Sequence, residues 1–226
     1  MKIVINSHIK GAIALNHLLE SINYVRENND KDKKYDIIIV IGGYYSLEKY
    51  EIEKQDNITI IKCNHNSIDF TGLIALLELF FNNKDEYYFY LHDTCKIGIN
   101  FFKKLESINL TNVSSVKIHR HTSMNIGIYS QQIINNYKDF LLSKKNTDEN
   151  KCTEFKVNSH EDHIFNTDGN NIIFENYDGY IHSVPFDYYF TGTMRKVEYY
   201  PNLDLYKIKA NYGQIPWIKE NMIMNN

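Results

Sequence analysis

Three cysteines among 226 residues, Cys63, Cys95 and Cys152, are too few and too scattered to staple a fold. An odd, dispersed set argues against a disulfide framework and for a reducing, cytoplasmic compartment. No CxxC pair occurs, which speaks against a thiolate zinc site. Ten glycines form no nucleotide-binding loop: Gly11 stands alone after the first apolar run, with no GxGxxG, and GxxxxGK[ST] is absent. Dehydrogenase and P-loop readings therefore lack their phosphate-binding element. No apolar run approaches the roughly 20 residues of a membrane span. The apolar part of the opening MKIVINSHIKGA is too short for a secretory signal and reads directly as a strand. A formal net charge of -3 gives no general electrostatic reason to expect nucleic acid or an anionic membrane as partner. Proline occurs three times against 18 tyrosines, with many Asn, Ile and Lys residues. This bias follows AT-rich coding and carries no information about activity.

What is present is a core. Hydrophobic residues make up 43% of the chain, enough for one large α/β domain or two small ones. Lys2–Ile9 reads as a strand, followed from Gly11 by Ile13, Leu15, Leu18, Leu19 and Ile22 at helical spacing. The polar run Asn28–Lys34 ends that helix. Asp36–Ile41 is a second buried strand, closed by Gly42-Gly43. The charged segment Ser46–Gln55 suggests a short helix, and Asn57–Cys63 a third strand. Ser67 or Asp69 can cap a helix whose buried face is Ile74, Leu77, Phe80 and Phe81. Tyr87–Leu91 is the fourth strand. Such alternation implies a mostly parallel sheet with helices on both faces and right-handed crossovers.

Beyond Gly98 the pattern shifts. Phe101–Ile108 reads as a short helix, Ser115–His121 and Asn125–Tyr129 as strands, and Gln131–Leu142 as one helix. Ser143–Lys156 reads as a polar loop and Ser159–Phe165 as a helix start. Asn171–Phe174 and Tyr180–Val184 are expected to pair as a hairpin across Asp178-Gly179. No linker precedes the Tyr-rich tail. The expectation is a single domain, 1–226, in three parts, 1–98, 99–187 and a C-terminal extension, 188–226.

The chain's chemistry centres on Tyr87–Gly98, YYFYLHDTCKIG. An apolar strand that ends in His92-Asp93-Thr94 places a polar cluster where open α/β sheets bind ligands. A carboxylate and an imidazole there suit a divalent metal bound to a diphosphate, although Asp and Thr also serve as ordinary turn and cap residues. Glu161 and Asp162, in SHEDH, suit a general base at a helix N-terminus, or equally a capping box. His182, near a strand end, is a third candidate, with a purely structural role as its rival. His119 and His121 share one strand face but have no third ligand at a telling spacing. In the tail, Arg195, Lys196, Lys207 and Lys209 alternate with Tyr199, Tyr200, Tyr206 and Tyr212. These residues suit contact with a diphosphate or sugar, or simple packing of the rings with solvated cations.

Taken in order to about Val184, these pieces resemble a nucleotide-sugar glycosyltransferase of the GT-A fold. The resemblance implies a Rossmann-like, mostly parallel central sheet flanked by helices, with a short antiparallel addition. Asn6-Ser7-His8 would contact the nucleotide base. Gly43, in Gly42-Gly43-Tyr44, stands where such enzymes usually carry an acidic residue. Asp69 lies in the loop that flanks the donor. His92-Asp93-Thr94 takes the place of the DxD signature with one carboxylate missing. Asp93 becomes the metal ligand for Mn2+ or Mg2+, with His92 or Thr94 on ribose, phosphate or water. His182 stands where some members supply a late metal ligand. The donor is then a nucleoside-diphosphate sugar and the acceptor a glycan or other hydroxyl, attacked with Asp162, or Glu161, as base and with inversion. The incomplete DxD leaves a rival: a GT-A-like binding module for a sugar or a partner, without catalysis. A metal-dependent hydrolase built from the histidines is a further rival, and a structural role is a third.

Overall fold

The protein was analysed as a computed structural model that describes residues 1–29, 35–118, 125–152, 154–155, 164, 171–172, 182–185 and 194–208. The chain runs β1 (Lys2–His8), α1 (Ala12–Asn29), β2 (Ile37–Gly42), β3 (Glu51–Gln55) and β4 (Ile58–Lys62). A 3-10 turn, Ile68–Phe70, enters α2 (Thr71–Phe80), which leads to β5 (Tyr87–His92), β6 (Cys95–Ile97) and α3 (Phe101–Glu106). Then come β7 (Ser115–Lys117), β8 (Gly127–Ser130), α4 (Gln131–Asn136) and α5 (Lys138–Ser143). The described remainder holds a second 3-10 turn (Glu149–Lys151), β9 (Asn171–Ile172), β10 (His182–Pro185), β11 (Met194–Tyr200) and β12 (Leu205–Ile208).

The fold is α/β. An eight-stranded sheet has the order β3-β4-β2-β1-β5-β8-β7-β9, and a four-stranded sheet the order β10-β11-β12-β6. In the large sheet β4, β2, β1 and β5 are parallel neighbours, which is the Rossmann-like part of the expectation. The smaller sheet is antiparallel throughout. By backbone proximity the chain divides into two units. The first comprises Met1–Ile9, Lys34–His92 and Leu110–Glu175; the second, Lys10–Lys33, Asp93–Asn109 and Asn176–Asn226. The large sheet belongs to the first and the small sheet to the second.

The first unit is built around α2. Its residues from Thr71 to Leu77 are all buried, so the first two turns of this helix lie inside the core rather than on it. Val4, Ile38, Val40, Tyr88 and Tyr90 supply the sheet side of that core, with Tyr129, Ile133 and Ile134 beside them. Gly72 is required by this packing: a Cβ there would come within 2.7 Å of the Tyr90 ring and hydroxyl.

Three expectations are corrected. Glu51–Gln55 is not a helix but an edge strand, antiparallel to β4 and exposed along its whole length. Backbone pairing with β4 holds as a strand a segment whose Glu and Lys content favours helix, and Lys62 on β4 reaches Glu53 at 2.5 Å and Glu51 at 3.6 Å across it. Gln131–Leu142 breaks into α4 and α5 at Tyr137, whose ψ of 19° leaves the helical range. β9 and β10 do not form a hairpin: β9 runs parallel to β7 in the large sheet, and β10 pairs with β11 in the small one. The tail, to which the sequence assigns no element, contains two strands, β11 and β12, and β12 pairs with β6.

Candidate functional site

The parallel strands of the first unit deliver polar residues at their carboxyl ends, where open α/β sheets bind ligands. Asn6 and His92 are register partners on adjacent strands, and His8 is opposite Gly42. Around them lies the loop from β4 to α2, Asn64–Phe70.

That loop is held by side chains at every step. Asn6 Nδ2 donates to the Ile68 carbonyl at 3.0 Å, and Asn6 Oδ1 accepts from the Gly72 amide at 2.9 Å. The Ile68 amide donates to Asn66 Oδ1 at 3.2 Å, and the Ser67 amide to Thr71 Oγ1 at 2.8 Å. These bonds hold Ile68 at a φ of +52°, a left-handed conformation that a β-branched residue adopts only when its surroundings enforce it. Such strain costs on the order of 1–3 kcal/mol and concentrates at functional sites.

The strained turn presents Asp69. Its Oδ1 lies 3.6 Å from His92 Nε2, and the two side chains are 14% and 10% exposed. The Tyr90 hydroxyl, fully buried beneath, donates to the Asp69 carbonyl at 2.7 Å. Burial, then the nearby Asp69 charge, pushes the Tyr90 phenol well above its ordinary pKa, so it stays a neutral donor. A largely dry carboxylate beside an imidazole can accept from ribose hydroxyls and orient a proton-bearing ring.

On the far side of β1, the close approach of Gly43 and His8 defines a second corner. Gly43 has a φ of +99°, and a Cβ there would stand 2.6 Å from His8 Nε2. An acidic side chain at this position, as the resemblance would have it, does not fit this backbone without displacing His8.

Beneath the loop runs a hydrogen-bonded relay that sequence reasoning missed. The Tyr50 hydroxyl donates to Glu78 Oε2. A phenol has one proton, so Nε2 of His65 is the protonated ring nitrogen that donates to Tyr50 at 3.1 Å. Nδ1 then accepts from Ser67 Oγ at 3.3 Å, and Ser67 Oγ in turn accepts from the Asn146 amide at 3.1 Å. Lys145 closes the chain on Glu78 at 2.8 and 2.9 Å. His65 is completely buried, and burial, followed by the Lys145 charge, lowers its pKa to about 4. The relay is a support for the loop, because neither His65 nor Ser67 reaches the surface. No periodic or spacing signal marks it in the sequence.

The predicted site residues therefore divide. Asn6, Ser7, His8, Gly43, Asp69 and His92 belong to the first unit, and Asp93, Thr94 and His182 to the second. The structure brings Asp69 to His92, Asn6 to the loop that carries Asp69, and Gly43 to His8. Asn6 has both its amide oxygen and its amide nitrogen engaged by that loop, so it acts here as a positioning residue. Glu161 and Asp162 lie outside the described residues, as do His119, His121, His160 and His163. Among the described residues no three His, Cys, Asp or Glu side chains gather as a metal cage. Of the two residues after His92, Thr94 accepts at Oγ1 from Lys207 Nζ, which leaves Asp93 as the one carboxylate there for a hard cation that would take its other ligands from phosphate and water. In the tail, Tyr199 and Tyr206 stack on each other at 4.4 Å, and Tyr200 is buried. No described helix is long and apolar enough to cross a membrane.

No family model, curated protein or solved structure matches the chain.

Proposed function

We propose that the chain is a glycosyltransferase of the GT-A kind, which transfers a sugar from a nucleoside-diphosphate donor to an acceptor hydroxyl with inversion. The observation that carries this reading is the Asp69–His92 pair, presented by a strained, fully braced loop at the carboxyl ends of four parallel strands. A backbone held in that conformation is built to keep one polar pair in one place.

In this reading Ser7, His8, Gly43, Asp69 and His92 receive the nucleoside, with Asn6 fixing the Asp69 loop. Gly43 lies so close to His8 that a Cβ would displace the imidazole, so glycine keeps His8 in its place. Asp93 would hold Mn2+ or Mg2+, with Thr94 near the diphosphate and His182 as a further ligand. A metal held there would supply positive charge to the diphosphate. Asp162, with Glu161 beside it, takes the proton from the acceptor hydroxyl as that oxygen attacks the anomeric carbon, while the sugar–phosphate bond breaks.

The test is thermal denaturation against a panel of nucleoside diphosphates and nucleotide sugars, with and without Mn2+, on the native chain and on Asp93→Ala. A ligand at a hundredfold excess over its dissociation constant stabilises by about 2.7 kcal/mol, or about 5–10 °C for a chain of this size. One nucleotide that gives a Mn2+-dependent shift lost in Asp93→Ala is the expected result. No shift with any nucleotide, or one indifferent to Asp93, overturns the transferase and leaves the non-catalytic binding module.

A further inference from the structure

One row of side chains crosses three strands of the small sheet. Lys96, the middle residue of β6, stands opposite Tyr206 on β12, and Tyr206 stands opposite Tyr199 on β11. Register partners share a face, so Lys96, Tyr206 and Tyr199 stand side by side. The other face of the same strands holds Cys95, Ile97, Leu205 and Lys207, all buried. Lys96, Tyr206 and Tyr199 are only half-buried.

The two rings are fixed. They stack with centroids 4.4 Å apart and 26° between their planes. The Tyr199 hydroxyl donates to Asp204 Oδ1 at 3.0 Å, and Asp204 Oδ2 accepts from the Asn100 amide at 2.9 Å. The carboxylate of Asp204 is thus engaged at both oxygens and holds Tyr199 in position.

Lys96 is not engaged in this way. Lys2, Lys62 and Lys145 each reach a carboxylate. The Lys96 ammonium has no hydrogen bond or ion pair among the described residues, and burial lowers its pKa. A charge that has given up part of its water without gaining a partner is one that an anion can satisfy.

We infer that this row binds a carbohydrate that carries a carboxylate, such as a uronic or sialic acid residue. Tyrosine rings offer flat, amphipathic surface to the C–H face of a sugar. The ammonium beside them offers three donors and one full charge. One cation matches the single charge of a carboxylate, whereas a phosphate group carries up to two. Lys96, Asn100, Tyr199, Asp204 and Tyr206 all belong to the second unit. The site needs neither nucleotide nor metal, and it stands or falls separately from the transferase.

The experiment is calorimetric titration at one fixed salt concentration, without nucleotide or Mn2+. The probes are sialyllactose and trigalacturonic acid, each against its neutral counterpart, lactose and galactotriose, with UMP as a phosphate-bearing control. The proteins are the native chain, Lys96→Met, Lys96→Arg and Tyr206→Leu, each checked by its melting curve. Lys96→Met loses no partner among the described residues, so it is expected to melt no lower than the native chain. The native chain is expected to bind an acidic sugar at least about tenfold more tightly than its neutral counterpart. That preference disappears in Lys96→Met and is largely kept in Lys96→Arg, while Tyr206→Leu weakens both members of the pair. If Tyr206→Leu does not fold, Lys96→Met decides. Absence of acidic-sugar binding by the native chain, or a preference that Lys96→Met leaves unchanged, overturns the inference. Binding of UMP alone that depends on Lys96 overturns it as well.

Discussion

Asp69 Oδ1 and His92 Nε2 stand 3.6 Å apart although 23 residues separate them in the sequence, and each is held there by a different device. His92 is fixed as the last residue of a central strand, and Asp69 by a loop that Asn6, Asn66 and Thr71 brace from three sides. The pair is the best-defined polar feature of the large sheet, and the first prediction concerns it.

Asp69→Asn removes the charge and keeps the shape. The backbone carbonyl that receives the Tyr90 hydroxyl remains, so stability changes by no more than about 1 kcal/mol. Nucleotide affinity falls roughly tenfold, the worth of one charge-assisted hydrogen bond. Calorimetric titration of the nucleotide found in the thermal panel measures it. An unchanged affinity removes Asp69 from the site.

Asn6→Ala breaks two hydrogen bonds at once and leaves the Ile68 carbonyl and Gly72 amide without that partner. A loss of about 2–4 kcal/mol is expected in urea denaturation. Asn6→Asp keeps the acceptor for Gly72 and loses the donor to Ile68, so it falls between. A variant as stable as the native chain shows that the loop does not need Asn6 to hold its strained turn.

Gly72→Ala reverses the usual sign. In an ordinary helix this change stabilises by about 1 kcal/mol. Here the added methyl meets Tyr90 at 2.7 Å, inside a packed core, and a loss of about 1–3 kcal/mol is expected. Thermal melting settles the sign.

His65 predicts a pH dependence. Its pKa is about 4 when folded against 6.5 when unfolded, so between these values the unfolded chain binds more protons. The stabilisation is fully present above pH 6.5, declines as pH falls through the window, and is lost below about 4. The full span is on the order of 3 kcal/mol. Carboxylates titrate nearby, so the measurement is the difference in urea stability between the native chain and His65→Asn from pH 4 to 7. Parallel profiles rule out a neutral, buried His65 as the source.

The apolar segments were legible because their signal is local. Ile3–Ile5, Ile37–Val40 and Phe89–Leu91 are continuous hydrophobic runs, and only strands buried on both faces read that way. Their alternation with the helical spacings of α1 and α2 yields the parallel sheet without coordinates, and His92-Asp93-Thr94 stands out as the polar end of one such run. The charged strand β3 was not legible, since nothing within Glu51–Gln55 records that Lys62 waits across the ladder. Nor does the spacing of β9 and β10 reveal that they join different sheets. The same reason separates the site's parts. Residue identity fixes which groups can accept, donate or carry charge. That Asp69 meets His92, that Asn6 serves a loop some sixty residues away, and that Lys207 is buried against Thr94 depend on long-range pairing, which no window of sequence contains.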